Sequence, residues 1–360
     1  MNVWVKRAAG VGVAGLAAIA GSVVVERRVV KARRAGAQGV EEFRSLRAPA
    51  VTVETDDGIG LHAEVDEVAP YANGTKPDPT QPTIVFVHGY ALNLDCWHYQ
   101  RQELRGKYRM VFYDQRSHGR SERSPRKNAT IDKLGDDLAT VLERLVPTGK
   151  VVLVGHSMGG MSIMALAESH PEVFADRVAG VGLIATTAGG LRPHRTLSPF
   201  IPDRLGEVVA PRLITALANA PELVDSARSR GSNIGFLVAD KFAFGGEAPA
   251  AQVEFLDEML AGTSMQVLAE FFPGFTSLDK FEVLASFATV PTTIICGTKD
   301  KLTSLGHSRK MASMIDGARL VECPGAGHMV IFEARDLVNA ALEQLFTSAS
   351  PARAHHRSAR

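Results

Sequence analysis

The 360-residue sequence is poor in cysteine and almost balanced in charge, and each shortage closes off a class of protein. Its three cysteines, Cys96, Cys296 and Cys323, are odd in number and far apart. Neither a disulfide framework nor a zinc cluster follows from that spacing, and the plain reading is three small buried apolar residues. Lys and Arg total 40 against 39 Asp and Glu, a net charge of +1. So small an excess gives no bulk electrostatic basis for a nucleic-acid partner. No internal repeat is visible. What remains is ordinary globular material, 45% hydrophobic and 22% charged, enough for one large α/β domain or two small ones.

The first 35 residues differ from the rest. Ala8 to Val25 is an uncharged run of eighteen residues, rich in Ala and Gly. As a helix it would be about 27 Å long, enough to cross a thin bilayer. Lys6 and Arg7 precede it, and Arg27, Arg28, Lys31, Arg33 and Arg34 follow. The heavier positive flank is C-terminal, so the expectation is a membrane anchor through residues 8–25 with the rest of the chain in the cytoplasm. A cleaved signal peptide, and with it a secreted protein, is the competing expectation, because Ala18-Ile19-Ala20 reads as an A-x-A site.

Residues 36–50 read as a polar connector. Val51 to Val68 holds two β-rich runs around Asp57-Gly58, the signature of an antiparallel hairpin. Residues 70–82 are a loop on their Pro, Asn and Gly content. The pattern then changes to continuous apolar runs: TIVFVHG (83–89), RMVFYD (109–114), KVVLVG (150–155), VAGVGLIAT (178–186) and TTIICG (292–297). Runs without alternation fit strands buried on both faces, as in a parallel sheet. Helical stretches separate them. Ile131, Leu134, Leu138, Val141 and Leu145 recur at three- and four-residue steps behind Thr130, an N-cap residue. Residues 157–170 and 333–346 read the same way. The predicted fold class is therefore α/β, a doubly wound and mostly parallel sheet. The alternation breaks between 191 and 285, where helical patches such as AQVEFLDEMLAG are expected to form an inserted cap, leaving 51–190 and 286–346 as the core. The small, basic tail, 347–360, is expected to be disordered.

Gly155-His156-Ser157-Met158-Gly159 matches G-x-S-x-G. The pattern has a mechanical meaning: a serine on a sharp strand-to-helix turn is held with its hydroxyl above the sheet, and the glycines leave room for the chain. The required context is present, a buried strand before and a helix after. A serine hydroxyl needs a base within hydrogen-bond reach, and the base needs an orienting acid. Asp300 follows the apolar run TTIICG, and His328 lies in the glycine-rich CPGAGH after the short strand-like RLVEC. Such positions converge at the carboxyl edge of a parallel sheet. Asp279 and Asp316 follow no strand of the sheet and are weaker candidates for the acid. Two backbone N–H donors must meet the oxyanion: Met158, at the start of the helix after the serine, and Tyr90, in the loop after FVHGY. His88 precedes the nucleophile in the chain and is expected to brace the oxyanion loop.

FVHGY, YDQRSHGRS, VGHSMGG, GTKD and GAGH resemble, in order and spacing, the landmarks of the α/β-hydrolase superfamily over residues 51–346. In particular they resemble its cofactor-free serine hydrolases with a helical lid. The resemblance implies the triad Ser157, Asp300, His328, an oxyanion hole at Tyr90 and Met158, and neither cofactor nor metal. It also implies that Asp114 to Ser121 is a structural turn, with Ser117 where glycine is usual. Epoxide hydrolases and haloalkane dehalogenases of this fold carry aspartate at the place of Ser157, which sets them aside. The implied substrate is a small-molecule ester, thioester, lactone or amide. Cofactor-free haloperoxidases (perhydrolases) and some C–C bond hydrolases share the triad, and a non-catalytic binding module is the third alternative. Nine of the sixteen phenylalanines fall in residues 191–285. An aromatic cover suits a lipophilic, apolar substrate, although the same rings could serve to pack the cap onto the sheet.

Overall fold

The structure, a computed structural model, describes residues 42–69, 80–191 and 242–350. The apolar run 8–25, most of the 70–82 loop, Phe200 and Phe236 lie outside the described residues, as does the chain from Pro351 onward. Among the described residues no helix is long and apolar enough to cross a membrane.

Eight strands form one sheet: β1 (Ala50–Glu54), β2 (Gly60–Asp66), β3 (Thr83–Val87), β4 (Met110–Tyr113), β5 (Val151–His156), β6 (Val178–Ile184), β7 (Thr292–Gly297) and β8 (Arg319–Cys323). Their spatial order is β1-β2-β4-β3-β5-β6-β7-β8. The hairpin at Asp57-Gly58 supplies the antiparallel pair β1–β2, and β2 runs antiparallel to β4. Every other pairing is parallel. The uninterrupted apolar runs make physical sense here. Along β3, Ile84 and Phe86 enter one hydrophobic cluster while Val85 and Val87 enter another on the opposite face. Both faces are dry, so no polar alternation survives.

The helices are α1 (His98–Leu104), α2 (Ile131–Leu145), α3 (Met158–Ser169), α4 (Pro171–Arg177), α5 (Ala250–Ala261), α6 (Met265–Thr276), α7 (Leu305–Met314), α8 (Val330–Glu333) and α9 (Arg335–Ala349). The clusters put α1 and α9 on one face of the sheet, and α2, α3 and α7 on the other. The Thr130 hydroxyl caps α2 by accepting from the Lys133 N–H at 3.1 Å, satisfying one of the orphan donors of the first turn.

Three boundaries differ from the sequence reading. The insertion rejoins the core at Asp279, before 285: Gly189 and Asp279 form an antiparallel bridge, and the Lys280 N–H donates to the Ala188 carbonyl at 2.7 Å. Leu284 and Phe287 then belong to the core. The tail does not begin at 347, because α9 continues to Ala349. Thr347 and Ser348 keep the helix going by donating back to the Glu343 and Gln344 carbonyls at 2.8 and 3.0 Å. Ala349 packs beside Gly180. At the other end, the connector's last residue, Ala50, already pairs in β1, and the residues before it are anchored: Phe43 stacks on Phe255 of α5 with ring centroids 4.3 Å apart.

Asp114 to Ser121 has the structural role expected of it. The Asp114 carboxylate accepts from the Leu94 and Arg120 N–H groups at 2.7 and 2.8 Å. Ser117 takes the left-handed backbone, at φ 64°, that glycine would supply. Arg116 is wholly buried between Asp137 of α2, at 2.5 and 2.6 Å, and Asp57 in the β1–β2 turn, at 2.9 and 3.0 Å. Asp137→Ala leaves that guanidinium with one carboxylate. The expected cost is about 3–5 kcal/mol, the usual penalty for breaking a buried pair. It should be read as a lower urea midpoint at unchanged m-value.

Candidate active site

Ser157 stands between β5 and α3 with φ 51° and ψ −117°. This is a strained conformation for a residue with a side chain, kept by its surroundings. The Ser157 N–H donates to the Ile184 carbonyl at 2.9 Å, and the Ser157 carbonyl accepts from the Thr186 hydroxyl at 2.7 Å. Gly159 lets the first turn of α3 cross β3: a Cβ there would come to 2.0 Å of the Val87 carbonyl oxygen. The backbone is thereby pinned on three sides, and Ser157 as a whole is half-buried at the sheet edge.

Asp300 follows β7, and His328 follows β8. Both are buried, and His328 Nδ1 donates to Asp300 Oδ2 at 2.9 Å. The other oxygen, Oδ1, accepts from the Leu302 and Thr303 N–H groups at 2.8 and 3.0 Å. Burial alone would raise the Asp300 pKa, but His328 and the two N–H donors outweigh it and hold the carboxyl below its ordinary value. An ionised Asp300 keeps the Nδ1–H tautomer of His328 and so leaves Nε2 free to accept a proton. The His328 loop lies against the serine strand: the ring of His156, the residue before Ser157, is 4.9 Å from the His328 ring. Thr303, which sequence reasoning did not single out, sets its hydroxyl 2.9 Å from Asp300 Oδ2 and 2.7 Å from the Ala185 carbonyl.

The loop after β3 closes the other side. Among the described residues the Tyr90 N–H has no partner, and the Met158 N–H, first in α3, has none within its helix. His88 is fully engaged below them. Its Nδ1 donates to the Gly89 carbonyl at 2.8 Å, and its Nε2 accepts from the Gln115 N–H at 2.8 Å. Burial, with His118 nearby, pushes its pKa down to about 3. A neutral ring with both nitrogens occupied cannot serve as the base, but it holds the loop. Gln115 extends the brace, donating to the His88 carbonyl at 2.6 Å and accepting from Ser162 of α3 at 2.7 Å. Gly89 is the point of closest approach. A Cβ there would lie 2.8 Å from His156 Nδ1 and 3.2 Å from Ser157 Cβ. Gly89→Ala is therefore expected to push the loop off the serine, lowering kcat by about 10²-fold, the scale of one lost oxyanion donor. The melting temperature should fall only slightly, and steady-state kinetics beside a thermal melt check both.

The cap is fastened to both loops. The Tyr90 hydroxyl donates to the Leu268 carbonyl of α6, and the Tyr90 ring meets Phe275 edge-on at 4.8 Å. On the base side, Glu333 accepts from the Gly245 N–H at 2.8 Å and from the Gly327 N–H at 2.7 Å, tying the cap's return segment to the residue before His328. Four phenylalanines of the cap are spent on packing. Phe271 and Phe275 join Met158 and Met161, while Phe244 and Phe255 join the Trp97 cluster. Glu333 carried no sequence signal because it sits in an ordinary helical stretch. His156 stands at a variable position of the G-x-S-x-G pentapeptide, so the pattern assigns it nothing.

Residues 84–341 match the Alpha/beta hydrolase family. A Pseudomonas putida protein named as the dihydrolipoyllysine-residue acetyltransferase component of an acetoin-cleaving system is 25% identical over 257 residues, 71% of this chain. The chain spans 61% of that relative's length. A thermophilic esterase from Thermogutta terrifontis superposes with a TM-score of 0.63 at 23% identity, covering 84% of this chain and 100% of its own. A bromoperoxidase from Bacillus anthracis does so with a TM-score of 0.66 at 19% identity, covering 83% and 100%.

Proposed function

The chain belongs to the alpha/beta hydrolase family, and from that premise we propose that it is a serine hydrolase that cleaves small carboxylic esters through an acyl-enzyme. The observation that carries the reading is the buried Asp300–His328 hydrogen bond of 2.9 Å, set at the same sheet edge as a serine held at φ 51°. Ser157 Oγ attacks the ester carbonyl carbon while His328 Nε2 takes the hydroxyl proton. The Tyr90 and Met158 N–H groups receive the oxyanion. The tetrahedral adduct collapses, the C–O bond to the alcohol breaks, and His328 returns the proton to the leaving oxygen. A water, deprotonated by the same nitrogen, then releases the carboxylic acid and restores Ser157. Asp300 supports the imidazolium formed in each half. Phe244, Phe255, Phe271 and Phe275 pack the cap onto the core, so these four rings do not argue for a lipophilic substrate. The basic-flanked run 8–25 supports a membrane-associated chain.

The test is to incubate the full chain with a fluorophosphonate probe and with a series of p-nitrophenyl esters. Covalent labelling mapped to Ser157, with ester turnover blocked by the probe, is the expected result. Absence of labelling would overturn the reading. So would activity that requires hydrogen peroxide and a carboxylic acid while esters stay intact, which would make the chain a perhydrolase. A mature N-terminus near Gly21 in the culture fluid would overturn membrane anchoring.

A further inference from the structure

His156 ends β5, is buried, and is not one of the groups to which the chemistry above assigns a role. Its Nε2 lies 3.0 Å from the main-chain oxygen of His328. A carbonyl only accepts, so Nε2 carries the proton and Nδ1 is bare. Nδ1 is itself buried and has no partner among the described residues. It faces the oxyanion loop, where a Cβ on Gly89 would come to 2.8 Å. A proton on Nδ1 would therefore be shut away from any acceptor, at the full desolvation cost of an unmade hydrogen bond. Moving the proton off Nε2 would set a lone pair against the His328 carbonyl. One neutral tautomer is left. Burial first, and the neighbouring His328 next, push its pKa down to about 3. Trp97 closes the remaining side, edge-on at 6.4 Å.

We propose that His156 is a positioning residue: its Nε2–H holds the backbone of His328 in register with the strand that carries Ser157, while its other edge seats the oxyanion loop at Gly89. The need for such a hold is local. His328 arrives on a glycine-rich loop, with Gly325 at φ 78°, and such a chain has wide conformational freedom. Asp300 fixes the ring of His328, and Glu333 fixes the residue before it. Only His156 fixes its carbonyl among the described residues. The role rests on the reading of His328 as the base.

Three variants separate positioning from simple packing. His156→Gln carries an amide N–H to about the reach of Nε2, His156→Asn falls short of it, and His156→Leu offers no donor. The expected result is a kcat about 10²-fold lower for Asn and Leu, the scale of a base displaced by about 1 Å. KM should barely move, and Gln should recover activity to within about tenfold of wild type. Asn or Leu turning over like wild type would overturn the proposal, and so would Gln no better than a folded Asn variant. A measurement on the unmodified chain stands apart from variant folding: a long-range proton–nitrogen-15 spectrum should give the Nε2–H tautomer for His156, and an Nδ1–H tautomer would overturn the bond. Absence of turnover and of serine labelling in the wild type would instead refute the hydrolase reading, while the tautomer result would still decide the His156 contact.

Discussion

Ser157→Ala leaves a folded protein whose ester turnover is lower by roughly a million-fold. The substitution removes one atom, Oγ, from a position whose backbone is held by other means. The Ser157 N–H keeps its bond to Ile184, and the carbonyl keeps its bond from Thr186. Alanine carries the same Cβ into φ 51°, so the strain is the same in both chains. The melting temperature should therefore stay near that of the wild type, and KM should change little, because substrate contacts are untouched. The probe should no longer label the protein. Some rate above that of water should persist, since the Tyr90 and Met158 donors remain. Steady-state kinetics with a burst-phase measurement provide the check, and a variant that retains wild-type turnover would remove Ser157 from the chemistry.

Asp300→Asn is expected to cost about 10⁴-fold in kcat with the fold intact. The direction follows from which oxygen does what. Oδ1 accepts two main-chain N–H groups, from Leu302 and Thr303. An asparagine must keep its carbonyl oxygen there, since an NH₂ would face two donors. Its NH₂ then replaces Oδ2 and points at His328 Nδ1, now 2.9 Å from a donor. The imidazole can accept that bond only by moving its own proton to Nε2, the nitrogen that takes the serine proton in the proposed mechanism. The Thr303 hydroxyl accepts the second amide hydrogen, so the wrong tautomer is fully satisfied. Slow labelling of an otherwise native protein, with nitrogen-15 shifts reporting Nε2–H on His328, would match this expectation. Near-normal turnover would mean that another group orients the base.

The sheet was largely legible in the sequence because burial on both faces leaves nothing to alternate. Each interior strand is an apolar run, and Asp114 and Asp300 stand just past the ends of β4 and β7, where the chain must turn and bond. The candidate site was legible for a similar reason, and of its residues the structure pairs Asp300 with His328. Ser157 announces itself through glycines that only a tight crossing requires, and Asp300 and His328 sit just past strand ends. The supports were not legible. Gln115, Thr303 and Glu333 each bond a main-chain group, which imposes no spacing on the sequence, and Ser162 supports Gln115 from an ordinary helical position. The boundary at 279 was missed because it is set by a bridge between Gly189 and Asp279, a pairing across the insertion that local periodicity does not register. The tail was misjudged because Thr347 and Ser348 look like loop residues until their hydroxyls are seen bonding back onto the preceding turn.

The cap's fastenings bear on how this protein could be re-engineered. Its α6 carbonyl at Leu268 holds the phenol of Tyr90, and its Gly245 N–H shares Glu333 with the base loop. Grafting a cap from a relative to borrow that relative's selectivity would cut both ties at once. A chimera that ignores them would lose turnover on every substrate alike, because the transplanted segment had also been serving as scaffold for the two loops beneath it. Selectivity is better sought by single exchanges that leave the main-chain partners at 245 and 268 in place.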